Sequence, residues 1–381
     1  MGNCLEAQSK LDNSVLNSGV TKVPNTSGQS FVPSSMSVHV PSPRSEGDIL
    51  SSPNLKPFTY SELKNATRNF RPDSLLGKGG FGYVYKGWID EHTLGAGKPG
   101  CGMIVAVKKL NSAGLKGHNN EWLCEVNRFS QLHHPNLVKL IGYCLEGDKR
   151  LLVYEYMPKG SLENHLFRRG AQTLSWEIRI KVAIDAARGL SFLHDSNQVL
   201  HRNFKGANIL FDSEFNAKVS DFGFVKSSPS HFYGEIFMYT LGYADPEWIY
   251  TGCLSTKSVV YSFGVVLLEL LSGRRAHDET KVAMERSLVG WAKPYLSDRR
   301  KLFWLMDTKL EGQYPEEAAY AAAVLASQCI SDHPKNRPQM SEVLATLEQL
   351  PSAKYANSSA SNPFLNSPLK NSHPSPLNIS P

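Results

Sequence analysis

Short segments in a fixed order between residues 77 and 223 constrain this chain more than any bulk property does. Gly77-Lys78-Gly79-Gly80-Phe81-Gly82-Tyr83-Val84 carries glycines at the spacing G-x-G-x-x-G-x-V, which frees backbone amides to lie close over phosphate oxygens. Alone such a run is weak, because a dinucleotide-binding turn or a plain loop has the same spelling. The next segment decides the matter: Val105-Ala106-Val107-Lys108 is a β-type apolar run that delivers a single cation. Further on, His201-Arg202-Asn203-Phe204-Lys205-Gly206-Ala207-Asn208 and Asp221-Phe222-Gly223 add Asn208 and Asp221, hard oxygen donors of the kind Mg²⁺ requires. A phosphate cradle, a strand lysine and oxygen donors in that order point to a nucleotide–Mg²⁺ site.

The surrounding pattern predicts where these segments sit. Short β-type runs, Ile104 to Val107 and Leu151 to Tyr154, come early, while helical periodicities, Ile178 to Leu193 and Glu316 to Cys329, come later. Strands first and helices after predict an α+β protein: a small antiparallel-sheet lobe with one helix, about 57–157, then a larger helical lobe, about 158–350. The flanks, 1–56 and 351–381, are rich in Ser, Asn and Pro, lack periodicity and are expected to be disordered. Gly95 to Gly102 reads as an exposed loop between strands. The run Val259 to Leu271 is broken by Ser262, Gly264 and Glu269 and is too short to span a bilayer, so a buried helix is expected there.

Composition excludes more than it assigns. The six cysteines are scattered with no CxxC pair, which indicates reduced thiols and no zinc site. The net charge of +6 is spread along the chain, and the basic run Arg299-Arg300-Lys301 follows Asp298 without aromatic interleaving. No nucleic-acid partner is expected from it.

Taken together, the motifs resemble a protein-kinase catalytic core. With Phe58-Thr59-Tyr60-Ser61-Glu62-Leu63, the Met1-Gly2-Asn3-Cys4 start and Tyr261 to Glu269, the chain is similar to plant receptor-like cytoplasmic kinases of subfamily VII over nearly its whole length. The resemblance implies a bilobal kinase fold of the Ser/Thr lineage that binds ATP and Mg²⁺ between its lobes. It assigns the nucleotide to Gly77, Gly79, Gly82, Val84, Ala106 and Lys108, with Glu125 (or Glu121, four residues earlier) as the carboxylate paired with Lys108. Tyr154 to Met157, including Glu155 and Met157, would be the hinge whose backbone holds adenine, and Asn208 and Asp221 the metal ligands. Phe129, His201 and Phe222 would stack between the lobes. The implied partners are cell-surface receptor kinases or other cytoplasmic kinases, and the implied place is the cytoplasmic face of the cell membrane, otherwise the cytoplasm. Myristate on Gly2 and palmitate on Cys4 would provide the two signals of stable anchoring, although Glu6 stands where the myristoylation pattern has Ser or Thr.

Several positions depart from the pattern. Asn203 occupies the place of the catalytic-base Asp; an amide can hold a hydroxyl but cannot take its proton, and general-base catalysis contributes about 10²–10⁴-fold. Lys205, which would face the γ-phosphate, is kept. Val259 replaces a buried Asp that accepts hydrogen bonds from the catalytic-loop backbone. A-P-E reads Asp245-Pro246-Glu247, placing a charge near the substrate platform, with Arg337 the expected partner of Glu247. Gly234-Glu235 falls where relatives carry a phosphorylated Ser/Thr pair, leaving Glu235 as a possible fixed charge for Arg202. The leading expectation is therefore an ATP-binding pseudokinase acting as scaffold, decoy or regulator in receptor-kinase signalling, with Ser227, Ser228, Ser230 or Tyr233 phosphorylated in trans. The alternative is a low-activity serine/threonine kinase.

Overall fold

The computed structural model describes residues 55–79, 82–111, 119–196, 199–222 and 241–350. Gly2, Cys4, Ser227, Ser228, Ser230, Tyr233 and Glu235 lie outside the described residues. Leu55 and Lys56, assigned by sequence to the N-terminal tail, belong to the folded body. Strand β1 (Lys56–Pro57) pairs with β5 (Leu140–Glu146), and Leu55 packs with Trp122, Leu123 and Tyr143. Gly142 makes that docking possible: a Cβ there would lie 2.3 Å from the Lys56 carbonyl oxygen and 2.5 Å from the Phe58 ring.

The first lobe is a sheet of order β1-β5-β6-β4-β3-β2, with β2 Leu75–Gly79, β3 Gly82–Ile89, β4 Met103–Leu110 and β6 Lys149–Glu155. Its pairings are antiparallel except at β1, which runs parallel to β5, so the expected all-antiparallel sheet acquires one short parallel edge. Alternation along β4 sets the two faces. Val105 and Val107 enter a core with Ile89, Leu151 and Val153, while Ala106 and Lys108 line the opposite, cleft side. Helix α1 (Tyr60–Ala66) starts at a Thr59/Glu62 capping box, and α2 (Asn119–Ser130) packs its Trp122, Leu123 and Val126 with Tyr143 and Leu152. The residues from Gly95 to Gly102 join β3 to β4 at the surface and are mostly exposed.

The second lobe is helical: α3 (Leu162–Phe167), α4 (Trp176–Ser191), α5 (Pro246–Thr251), α6 (Thr256–Ser272), α7 (Leu288–Leu296), α8 (Leu302–Leu305), α9 (Glu316–Cys329) and α10 (Met340–Glu348). A small sheet, β7 (Gly160–Ser161), β8 (Ile209–Phe211) and β9 (Ala217–Val219), faces the cleft. The apolar run expected to be a buried helix is α6, which lies at the centre of the main core, capped by Ser255 at its start and left-handed Gly273 at its end. No helix among the described residues is long and apolar enough to cross a membrane.

Candidate active site

A cleft of about 480 Å³ lies between the sheet and the helical lobe, within the size range of small-molecule sites. Its roof comes from β2 and β3, where Gly77, Gly79, Gly82 and Val84 line the space with Ala106 of β4. Gly82 has φ +136°, and a Cβ there would lie 2.0 Å from the Lys109 carbonyl oxygen, so the turn into β3 requires glycine. Gly77 and Gly79 have open space where a side chain would stand, which leaves the cleft side clear for a ligand. At the back, β6 runs out through Tyr154 and Glu155 into Tyr156 and Met157, all lining the cleft. The Glu155 carboxylate is turned to Lys218 Nζ, 2.9 Å from each oxygen.

Lys108 and Asp221 come together from separate lobes. Lys108 is buried on β4 and its Nζ lies 2.8 Å from Asp221 Oδ1. Burial pushes the Asp221 carboxyl up, but the Lys108 ammonium beside it, with His201 and Lys205 nearby, holds it below the usual carboxylate range. Asp221 adopts φ +61°, left-handed backbone that a short polar side chain tolerates better than most. Phe222, next in the chain, meets Phe129 of α2 edge-on, ring centres 5.8 Å apart. That contact ties α2 to the loop carrying Asp221. Glu125 also lies on α2, but its side chain, like that of Glu121, is outside the described residues.

The loop from His201 to Asn208 is fixed mainly by backbone contacts. His201 Nε2 donates to the Ser220 carbonyl at 2.8 Å, and Nδ1 accepts from the Asn203 amide at 3.3 Å. Burial draws this imidazole down to about 4, so it stays neutral and keeps both bonds at neutral pH. Asn208 Nδ2 donates to the Asn203 carbonyl at 2.8 Å, and the Asn208 carbonyl accepts from Ser220 N at 2.9 Å. Asn203, Lys205 and Asn208 thus line the cleft together with Asp221. Burial lowers the Lys205 ammonium's pKa, opposed by Glu163 and Asp221.

Val259 sits where sequence placed it, buried on α6 against this loop. Beside it, bounded by His201, Asn203 and Ser262, is a gap of about 10 Å³, about the size that admits one water.

The expectation for Arg337 is corrected. Its guanidinium does not pair with Glu247 but grips Asp245 with both ends, Nη1–Oδ2 and Nη2–Oδ1 each 2.8 Å, and both side chains are wholly buried. Asp245 also caps α5, accepting from Glu247 N at 3.1 Å, while Glu247 itself is exposed. The extra charge at Asp245 is therefore neutralised inside the fold. A carboxylate one residue before the α5 helix is already inside the guanidinium's reach, so the one within the helix is not needed.

Residues 70–347 match the family model for protein tyrosine and serine/threonine kinases. The chain belongs to the protein-kinase family. It is 62% identical over 372 residues to "Probable serine/threonine-protein kinase PBL3" of Arabidopsis thaliana, covering 93% of this chain and 87% of that one. It is 64% identical over 313 residues to "Probable serine/threonine-protein kinase PBL4" of the same plant, covering 81% and 75%. "Receptor-like cytoplasmic kinase 176" of Oryza sativa subsp. japonica is 57% identical over 321 residues, covering 82% and 81%. Within the kinases the chain therefore falls among the receptor-like cytoplasmic kinases of subfamily VII. Three features of this kinase domain escaped the sequence reading: the Glu155–Lys218 pair, the Glu163–Arg275 pair (2.8 Å) at the cleft mouth, and Tyr243 donating to Glu269 at 2.8 Å. Only Glu163 left a local signal, as it follows the helix-capping Ser161 just after the hinge.

Proposed function

We propose that the protein is an ATP-dependent serine/threonine phosphotransferase of reduced rate, the second of the two readings drawn from its sequence. The observation that carries it is the joining of Lys108 to Asp221 in a cleft that also holds Lys205 and Asn208. Loss of the base alone leaves phosphoryl transfer its main ingredients, positioning and electrostatics. The residues suit the groups they would hold. Asn208 and Asp221 offer hard oxygens to Mg²⁺, and Gly77 and Gly79, with open space where a side chain would stand, leave room for phosphates. When bound, Mg²⁺ neutralises and orients the phosphate oxygens. Lys108 would hold the inner phosphates, Lys205 the terminal one, and the backbone of Tyr154 to Met157 the adenine. The printed names of the relatives, serine/threonine-protein kinases, support the acceptor class.

One observation favours a second reading, a pseudokinase scaffold or decoy for receptor kinases: Asn203 and Val259 remove a base and a loop support from the same place. A single-turnover assay with Mg²⁺–ATP and a Ser/Thr peptide separates the two. Transfer by the wild type above a Lys108→Ala control supports the enzyme; ATP binding without transfer supports the scaffold. We also place the chain at the membrane through acyl groups on Gly2 and Cys4, with receptor kinases as partners. Loss of membrane fractionation in Gly2→Ala and Cys4→Ser chains tests that placement.

A further inference from the structure

The sheet lobe has a face that the cleft does not use. On β3 and β4, Val84, Ala106 and Lys108 line the cleft, so alternation turns Tyr83, Tyr85 and Lys109 to the opposite side. There the rings of Tyr60 from α1, Phe70, Tyr85 and Tyr83 follow one another, with centres 5.6, 5.3 and 6.4 Å apart. Three ammonium groups rest on them. Lys149 Nζ lies 4.0 Å from the Tyr60 ring centre, Lys109 Nζ 4.9 Å from that of Phe70, and Lys78 Nζ 5.5 Å from that of Tyr83. A ring face attracts a cation but leaves its charge in place.

None of these lysines is ion-paired with a carboxylate among the described residues. Glu62 and Glu146, at the Lys149 end, accept from the Thr59 and Tyr60 amides at 2.7 and 2.6 Å where α1 starts, and Asp148 acts electrostatically on Arg150. Arg68 and Arg71, between α1 and β2, both pair with Asp73, at 3.9 and 3.3 Å. What faces outward is a row of lysine charges over half-buried rings. A phosphorylated peptide is gripped by arginine forks, whereas lysine point charges suit the diffuse negative field of a lipid surface. Tyrosine suits the same boundary, with an apolar ring and a hydroxyl that reaches water. The point of entry of the chain adds a second argument. Residues 1–54, with Gly2 and Cys4, join the described body at Leu55 and β1, in this same lobe. An anchor at Gly2 and Cys4 would therefore deliver the sheet lobe to the bilayer ahead of the helical one.

We propose that the strip of Lys149, Lys109 and Lys78 is a docking face for a bilayer containing anionic phospholipids. The inference deepens the membrane placement given above, and it adds an electrostatic contact that does not need the acyl groups. Because the strip and the cleft lie on opposite sides of the sheet, docking turns the cleft away from the lipid and leaves it open to nucleotide and protein partners.

The test uses the full chain carrying Gly2→Ala and Cys4→Ser, so that no acyl group contributes, and vesicles of phosphatidylcholine with or without about one-third phosphatidylserine. Co-sedimentation should show binding to the anionic vesicles alone, weakening as salt is raised. Lys78→Gln, Lys109→Gln and Lys149→Gln together keep aliphatic stems on the rings and should lower partition by about 100-fold, about fivefold for each lysine. The same change at Lys301, Lys309 and Lys335, exposed on the helical lobe, should alter it by about twofold or less. Lysine acetylation read by mass spectrometry needs no lysine variant: anionic vesicles should protect Lys78, Lys109 and Lys149 but not Lys301, Lys309 and Lys335. Equal binding to neutral vesicles, equal loss from both triple variants, or an unprotected strip would each overturn the proposal. So would strip-dependent capture of an acidic or phosphorylated peptide without vesicle binding. Such a failure leaves the acyl placement standing, because that rests on fractionation of the acylated chain.

Discussion

Truncating Asp245 to alanine probes the most deeply buried ion pair in the described structure. Asp245 and Arg337 have side chains with no exposed surface, and their paired bonds are 2.8 Å long. Without the carboxylate, Arg337 retains two carbonyl partners, Ser331 at 2.8 Å and Lys257 at 3.1 Å, and the Tyr261 ring 5.0 Å away, none of which carries a neutralising charge. Removing one member of a buried pair costs about 3–5 kcal/mol, because the remaining charge is stranded in a poorly polarisable interior. Loss of the α5 cap adds about 1 kcal/mol. At about 2–4 °C per kcal/mol for a domain of this size, the melting temperature should fall by about 8–24 °C. Glu247→Ala, by contrast, removes an exposed carboxylate and should change stability by about 0.5 kcal/mol or less. The assay is thermal melting of wild type, both single variants and the double variant. If Asp245→Ala costs under about 1 kcal/mol and only the double variant collapses, then Glu247 can take over Arg337, and the reasoning from the buried geometry is refuted.

Mg²⁺–ATP at 100 times its dissociation constant should stabilise wild type by about 2.7 kcal/mol, seen as a rise in melting temperature, and Lys108→Ala or Asp221→Asn should abolish that rise. Gly82→Ala should cost about 1–3 kcal/mol, since its Cβ meets the Lys109 carbonyl; an unchanged melting temperature would contradict the close approach. Burial pushes the Glu269 carboxyl up to about 8, from an ordinary 4.5. The folded protein therefore keeps a proton that the unfolded chain releases, and stability from this group is lost as pH rises from about 4.5 to about 8. Glu269→Gln should flatten that decline in a series of melts across pH. Val259→Ala should enlarge the gap beside the catalytic loop and cost about 2 kcal/mol in denaturant unfolding.

What could be read in advance followed local chemistry. The glycine spacing, the apolar strand ending in Lys108, and the pair Asn208 and Asp221 are written in contiguous residues, and period-2 and 3.6-residue patterns give strand and helix their order. The α6 helix was legible for the same reason, as a long apolar run too interrupted for a bilayer. Where the chain had to choose between partners, the sequence was silent or misleading. Leu55 and Lys56 look like the end of a polar tail until Gly142 opens a seat for them beside β5. Arg337 had an expected partner by resemblance, yet took the nearer carboxylate. The engagement of Glu155 by Lys218 and of Glu163 by Arg275 joins residues 63 and 112 positions apart, which no local pattern encodes.

The sequence by itself determined the kind of site, a phosphate cradle with a strand lysine and oxygen donors, because those demands are met by residue type and short spacing. It also determined that Asn203 stands where a base would. Only the tertiary structure decided which charges are spent on one another. Ion pairing depends on distance and burial, and these exist only once remote segments have packed. That is why the engagement of Asp221 by Lys108, of Glu155 by Lys218 and of Glu163 by Arg275 became visible only in the fold.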